Sequence, residues 1–251
     1  FLKGYMASLA FSDIDSAKES PMVKDFNDLN VVENYDAHIR KLIPAYEQIH
    51  LQVHALLKTY VADDARVLVV GCGTGYELQY LAEQFPTWQF IAIDPAPNML
   101  EKSKQHIENI GLSSQVEFKL GDTSILKYLD QGFDVALAIL VSHFVATDSK
   151  LSFFQDIGNS LSKTGLCLSY ELTRIGSQQQ LQSLKNLALM TGLAEKQVDV
   201  MAKRMEQDFA LISADELKNI YKQAGFASVE TFAQVLNYYG FIGFKAKMKI
   251  E

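Results

Sequence analysis

The stretch Arg66-Val-Leu-Val-Val-Gly-Cys-Gly-Thr-Gly-Tyr76 constrains this chain more than any other. Val67 to Val70 form an apolar, largely β-branched run suited to a buried strand. Gly71, Gly73 and Gly75 follow at alternate positions, and then Leu78, Leu81, Ala82 and Phe85 recur at helical spacing. The pattern reads as strand, glycine turn, helix. Glycine suits such a turn because it takes positive φ without strain and lets a ligand approach the backbone. The helix start adds free N–H groups and the positive end of a dipole. The next apolar run, Phe90-Ile-Ala-Ile-Asp94, closes on an acid. A carboxylate so placed can accept hydrogen bonds from the two hydroxyls of a ribose. The expectation is an α/β domain that binds a nucleoside.

Composition bounds the rest. The chain has 251 residues, 48% hydrophobic and 21% charged, enough for one large α/β domain with elaborations. A net charge of −7, with no run of Lys or Arg, argues against a nucleic-acid partner. Only Cys72 and Cys167 are present, in different elements, so a disulfide is not expected and a reducing cytoplasm fits. No apolar run approaches a membrane span, and Phe1-Leu-Lys-Gly-Tyr-Met-Ala lacks the order of a secretory leader.

Taken in order, residues 1–33 read as an irregular arm or short helices, covering a pocket or partner subunit or forming a mobile tail. Residues 34–60 form an amphipathic helical pattern bent at Ile43-Pro44, which could aim Tyr46 at a ligand. His50 and His54 share a helix face but lack the glutamate of H-E-x-x-H, so no metal is expected. Strand two ends at Asp94, and Asn98 is the expected cap of the helix that follows. Val116 to Asp122 alternates as strand three, and Leu126 and Leu129 suggest a short helix. Phe133 to Val141 is a continuous apolar run, as for a central strand buried on both faces. A helix over 150–161 and strand five over 165–172 complete the repeat. Residues 177–208 read as two Leu- and Met-rich helices joined at Thr191-Gly192: a lid, or else extra packing or a dimer surface. Ser213-Ala-Asp-Glu opens a helix over 214–224. A hairpin over 229–236 and 241–247 turns across 237–240. The division expected is 1–60 as a covering arm with helices, 61–176 with 209–251 as the nucleoside domain, and 177–208 as the insertion.

In an open parallel sheet, ligands bind outside the carboxyl ends of the strands. The glycine turn, Asp94, Asp122 and His143 all fall there. Asp94 is expected to hold the ribose, Met99 to cover the adenine and Asp122 to accept from its exocyclic amine. Gly71, Cys72, Gly73 and Gly75 would face the tail of the ligand, with Pro95, Thr123 and Ile139 beside them. Cys72 is a small filler rather than a nucleophile. His143 is available as a general base or else fixes its loop. Tyr170 and Glu171, near the end of strand five, are further candidates, while Tyr238 and Tyr239 finish the hairpin.

The motifs Val-Leu-Val-Val-Gly-Cys-Gly-Thr-Gly, Ile-Ala-Ile-Asp-Pro-Ala-Pro-Asn-Met and Gly121-Asp122, with the closing hairpin, resemble the class I S-adenosylmethionine-dependent methyltransferase core. Residues 60–175 and 213–248 carry the resemblance. It implies a Rossmann-like seven-stranded, mostly parallel sheet with an antiparallel last strand and helices on both faces. It also implies S-adenosyl-L-methionine as cofactor, S-adenosyl-L-homocysteine as product, and activity as a methyltransferase (EC 2.1.1.-). That family places an acid two residues before the first glycine, where it helps anchor the methionine moiety. Here the position is Val69. Ile43-Pro-Ala-Tyr-Glu-Gln-Ile49, the Asp94 motif and Lys203-Arg204 are also similar to the carboxy-S-adenosylmethionine synthase family, which converts prephenate and S-adenosylmethionine into a carboxylated cofactor. By that resemblance Tyr46 touches the cofactor and Arg204 pairs with a carboxylate; an asparagine expected after strand four is instead apolar near Ile139. The resulting expectation is a methyltransferase for a small-molecule acceptor, with a possible homodimer. The alternatives are a synthase-like enzyme using a carboxylate co-substrate, with Arg204 and Tyr170 on the substrate side, and a non-catalytic cofactor-binding protein.

Overall fold

The structure, a computed structural model, describes Phe26 and residues 28–247. The first twenty-five positions of the expected arm lie outside the described residues. Seven strands are present: β1 (Arg66–Val70), β2 (Gln89–Asp94), β3 (Val116–Leu120), β4 (Phe133–Ile139), β5 (Leu161–Leu172), β6 (Ser228–Val235) and β7 (Tyr238–Phe244). They form one sheet in the order β3-β2-β1-β4-β5-β7-β6. β1 to β5 pair in parallel, and β7 runs antiparallel to both β5 and β6. This is the Rossmann-like sheet with an antiparallel last strand that the motifs imply.

Alternation along β1 splits the core into two layers. Val67 and Val69 face the layer formed with α2 (Tyr46–Tyr60), α3 (Tyr76–Gln84), α6 (Gln178–Met190) and α7 (Glu195–Gln207). Leu68 and Val70 face α5 (Lys150–Ser160) and α8 (Ala214–Gln223). Residues 135–138 of β4, at the centre, are fully buried. Val135 and Leu137 each contribute about 1.5–3 kcal/mol on burial.

The element boundaries correct the sequence reading in three places. α1 (Leu29–Leu42) starts before the expected Asn34, inside the stretch read as an irregular arm or short helices, because the Asp28 side chain caps it by accepting from the Asn30 N–H at 2.8 Å. The expected break follows: Ile43 is extended, as the residue before a proline prefers, and Ala45 takes φ 56° before α2 begins. Asn98 does not cap α4 (Pro97–Asn109). Ala96 holds that position, with Pro97 in the first turn, where its missing N–H costs nothing. The terminal turn is also tighter than expected. β7 begins at Tyr238, so Tyr238 and Tyr239 are paired strand residues and Leu236-Asn237 makes the turn.

Gly75 shows why the turn after β1 must be glycine-rich. It sits at φ 88° before α3, and a Cβ there would lie 2.3 Å from Ser103 Oγ and 3.1 Å from Ser103 Cα on α4. Gly75→Ala therefore combines left-handed strain of about 1–2 kcal/mol with overpacking of about 1–3 kcal/mol. The expected result is a fall in melting temperature of several degrees in a thermal scan; an unchanged transition would contradict this packing.

Candidate functional site

The site is built at the carboxyl ends of β1, β2 and β4. Gly71 and Cys72 donate backbone N–H bonds to the Ile93 carbonyl at 2.8 and 3.1 Å, which locks the glycine turn against β2. Gly73 takes φ 53° with open space where a Cβ would stand. Its N–H donates to Asp94 Oδ2 at 2.8 Å, while the Ala96 N–H donates to Oδ1 at 2.8 Å. Asp94 is thus fixed by two backbone donors at the mouth of the turn. Burial raises its carboxyl above the usual range, and the two donors oppose that rise.

A cavity of about 410 Å³ opens beside it. Gly71, Gly73, Asp94, Met99, Asp122 and Thr123 form its walls, with Pro95 on the rim of the turn and Ile139 at the end of β4. Asp122 accepts from the Ser124 N–H at 2.9 Å, capping a short 3-10 turn that sets its direction. Three other sequence candidates are absent from these walls. Cys72 is buried in the core, where burial holds its thiol well above the ordinary range. Gly75 is occupied with α4. Tyr46 packs against His50 and Tyr76 at ring separations of 4.7 and 5.3 Å.

A smaller cavity of about 50 Å³ adjoins the first and shares Phe26, Tyr35, Leu140 and Phe144 with it. His143, Arg204 and Tyr238 lie on its wall, with Met201 and Met205 from α7. His143 is buried, and its Nδ1 lies 3.1 Å from Glu171 Oε2. A carboxylate there keeps the proton on Nδ1 and leaves Nε2 as the acceptor. Glu171 also accepts from the backbone N–H groups of Ser142 and His143 at 3.0 and 3.2 Å. Lys150, itself buried, donates to the Ser142 carbonyl, and burial lowers its amine below the usual lysine range. Arg204 pairs with Asp208 at 3.0 Å and lies over the Phe209 ring. Tyr170 is on neither wall; it stacks on Tyr238 at 5.8 Å and reaches the Pro44 carbonyl.

Sequence reasoning missed Phe26 and Tyr35, which line both cavities: Phe26 lies ahead of α1, and Tyr35 falls within the expected helical stretch but outside its apolar stripe. It also missed Glu77 in the first turn of α3. Glu77 is 8% exposed, and burial pushes its carboxyl up to about 8. The folded chain therefore holds a proton between pH 4.5 and 8 that the unfolded chain releases, so stability without ligand falls as pH rises through that window. Glu77→Gln should remove this part of the slope when melting temperature is followed against pH. An unaltered slope would show that Glu77 titrates normally. His50 and His54 take separate partners, the Tyr46 carbonyl and the Tyr80 hydroxyl, each at 2.8 Å. Among the described residues no helix is long and apolar enough to cross a membrane.

A seven-stranded sheet of this order, with a glycine turn and a strand-two acid on one cavity, defines a class I methyltransferase fold. Residues 67–165 match the family model described as a methyltransferase domain. Over that stretch the chain is similar to class I S-adenosylmethionine-dependent methyltransferases, a class whose cofactor is S-adenosylmethionine. Among relatives, the carboxy-S-adenosyl-L-methionine synthase of Ruthia magnifica subsp. Calyptogena magnifica is 24% identical over 234 residues, covering 91% of this chain and 97% of that one. Two solved structures share the fold. An O-methyltransferase family protein from Burkholderia thailandensis has a TM-score of 0.58 at 14% identity, over 89% of this chain and 59% of that longer one. A protein from Pyrococcus horikoshii OT3 has a TM-score of 0.61 at 18% identity, over 84% of this chain and 98% of that one.

Proposed function

We propose that the protein transfers the methyl group of S-adenosylmethionine to a small-molecule acceptor, with His143 as the base. The observation that carries this reading is the adjacency of two cavities across Tyr35 and Phe144. One has the Asp94 carboxylate at a glycine turn; the other has a histidine held by a buried glutamate. The residues fit the cofactor: Asp94 retains acceptor capacity for a ribose diol, Met99 and Ile139 give apolar faces for a base, and Asp122 can accept from an amine. The cofactor supplies a methyl carbon made electrophilic by its sulfonium. When bound, it would offer that methyl group to an acceptor lone pair, with the sulfur leaving as a thioether. The acceptor's proton passes to His143 Nε2. Positioning contributes most, and the base adds about 10²–10⁴-fold.

The test is formation of S-adenosylhomocysteine across a panel of small hydroxyl- and amine-bearing acceptors, followed by mass spectrometry. His143→Ala should lower kcat by about 10²-fold or more on the best acceptor, with cofactor binding retained. Unchanged kcat would remove His143 from the chemistry.

Arg204 on the smaller cavity, with the full-length similarity to the Ruthia synthase, supports a second reading: a synthase-like enzyme that takes a carboxylate co-substrate. A guanidinium fork suits a carboxylate, but here Asp208 already occupies part of that fork. Arg204→Ala should then weaken an organic acid far more than the cofactor. Equal effects on both would exclude this reading.

A further inference from the structure

Resting on the methyltransferase reading above, we infer that the acceptor is an uncharged one-ring phenol, and that Asp208 is the residue that excludes acidic ones. The smaller cavity carries this. At about 50 Å³ it is several times the space that one water needs, enough for a single ring. Phe26, Tyr35, Phe144, Phe209 and Tyr238 bring aromatic rings to its wall. Neighbouring rings there already meet edge to face: Phe26 with Phe144 at 5.4 Å, Phe144 with Phe209 at 5.2 Å and His143 with Phe209 at 5.0 Å. A flat ring in the cavity extends the same contacts, and the thioethers of Met201 and Met205 add to them.

The type of hydroxyl follows from the base. An imidazole is a weak base, ordinarily protonated below about pH 6.5. A phenol gives up its proton near about pH 10, whereas an aliphatic alcohol is about as weak an acid as water, at about 15.7. A histidine therefore takes the proton of a phenol far more readily. The phenolic oxygen gains the methyl group and gives its proton to His143 Nε2, leaving an aryl methyl ether and S-adenosylhomocysteine.

The charge on the wall is already answered from within. Among the described residues of that wall, Arg204 is the one permanent cation. Its Nε donates to Asp208 Oδ2 at 3.0 Å, and the Asp208 side chain is only 6% exposed. Asp208 is fixed from both sides. Its own N–H donates to the Arg204 carbonyl at 2.9 Å, and the Ala210 N–H donates to the His143 carbonyl at 3.0 Å. A carboxylate entering this cavity sheds its water and then meets a cation already paired, with a like charge beside it. An uncharged ring meets neither cost.

The experiment compares phenol, cyclohexanol and 4-hydroxybenzoate on the wild type and on Asp208→Asn, which keeps the side chain's shape. Binding to the chain saturated with S-adenosylhomocysteine is followed by calorimetry, and methyl ether formation from S-adenosylmethionine by mass spectrometry. In the wild type, phenol should exceed both others by tenfold or more in affinity and in kcat/KM. In Asp208→Asn the ratio of phenol to 4-hydroxybenzoate should shrink by tenfold or more, because Arg204 is free to take the added carboxylate. The wild-type comparison stands by itself if thermal melts show the variant unfolded. Cyclohexanol or 4-hydroxybenzoate matching phenol in the wild type, an unchanged ratio in a folded variant, or no binding of any of the three would overturn the inference. S-adenosylhomocysteine formed from other acceptors would then leave the methyltransferase reading standing. Failure of the wild type to bind S-adenosylhomocysteine would overturn both.

Discussion

Asp94→Ala is expected to weaken S-adenosylhomocysteine binding by about 100-fold or more. The ionised side chain accepts from Gly73 and Ala96, each at 2.8 Å, while facing the larger cavity. Under the proposed function it also accepts from the ribose diol. Hydrogen bonds to a charged group contribute roughly 1.5–3 kcal/mol each, so losing two ligand bonds costs about 3–6 kcal/mol. Freeing the Gly73 N–H adds to the loss by releasing the turn that shapes the cavity. Asp94→Asn keeps one acceptor oxygen and should fall between. Calorimetry checks the affinities, with circular dichroism confirming the fold. An alanine variant that binds within a few fold of wild type would show that the diol is held elsewhere.

Glu171→Leu is expected to cost the most stability of any single change at the site. Its carboxylate is buried and accepts from the Ser142 N–H, the His143 N–H and His143 Nδ1, with the buried Lys150 ammonium nearby. Removing it strands three donors and leaves that lysine uncompensated. Breaking such a buried charged network costs about 3–5 kcal/mol, or roughly 6–20 °C in melting temperature for a chain of this size. Glu171→Gln keeps the shape and should lose less. Under the proposed function it should also lower kcat, because the proton on His143 Nδ1 is no longer fixed. A leucine variant that melts with the wild type would contradict the network.

How far these elements were legible depends on how local their causes are. The glycine turn, Asp94 and the β4 run were readable because strand period, glycine conformation and the acid at a strand end are properties of a few consecutive residues. The antiparallel close of the sheet came through the motifs and the hairpin pattern. By contrast, α1 was missed before Asn34 because its start depends on one cap, Asp28, and on packing of Val32 against Met99 and Ala96. Glu171 was expected at the pocket, but its partners Ser142, His143 and Lys150 lie 21 or more residues away, and sequence spacing does not show such pairings. Tyr46 and Tyr170 sat near strand and helix ends where a pocket was expected, yet both are drawn into the aromatic core instead. Glu77 escaped notice because an acid in the first turn of a helix is ordinarily a solvated dipole partner. Only the burial imposed by α1 and α2 makes it unusual.

The most direct measurement is calorimetric titration of the purified chain with S-adenosylmethionine, S-adenosylhomocysteine and NAD. A class I methyltransferase site predicts saturable binding of the first two, one per chain, and none of NAD. Binding of NAD without either sulfur ligand would contradict it.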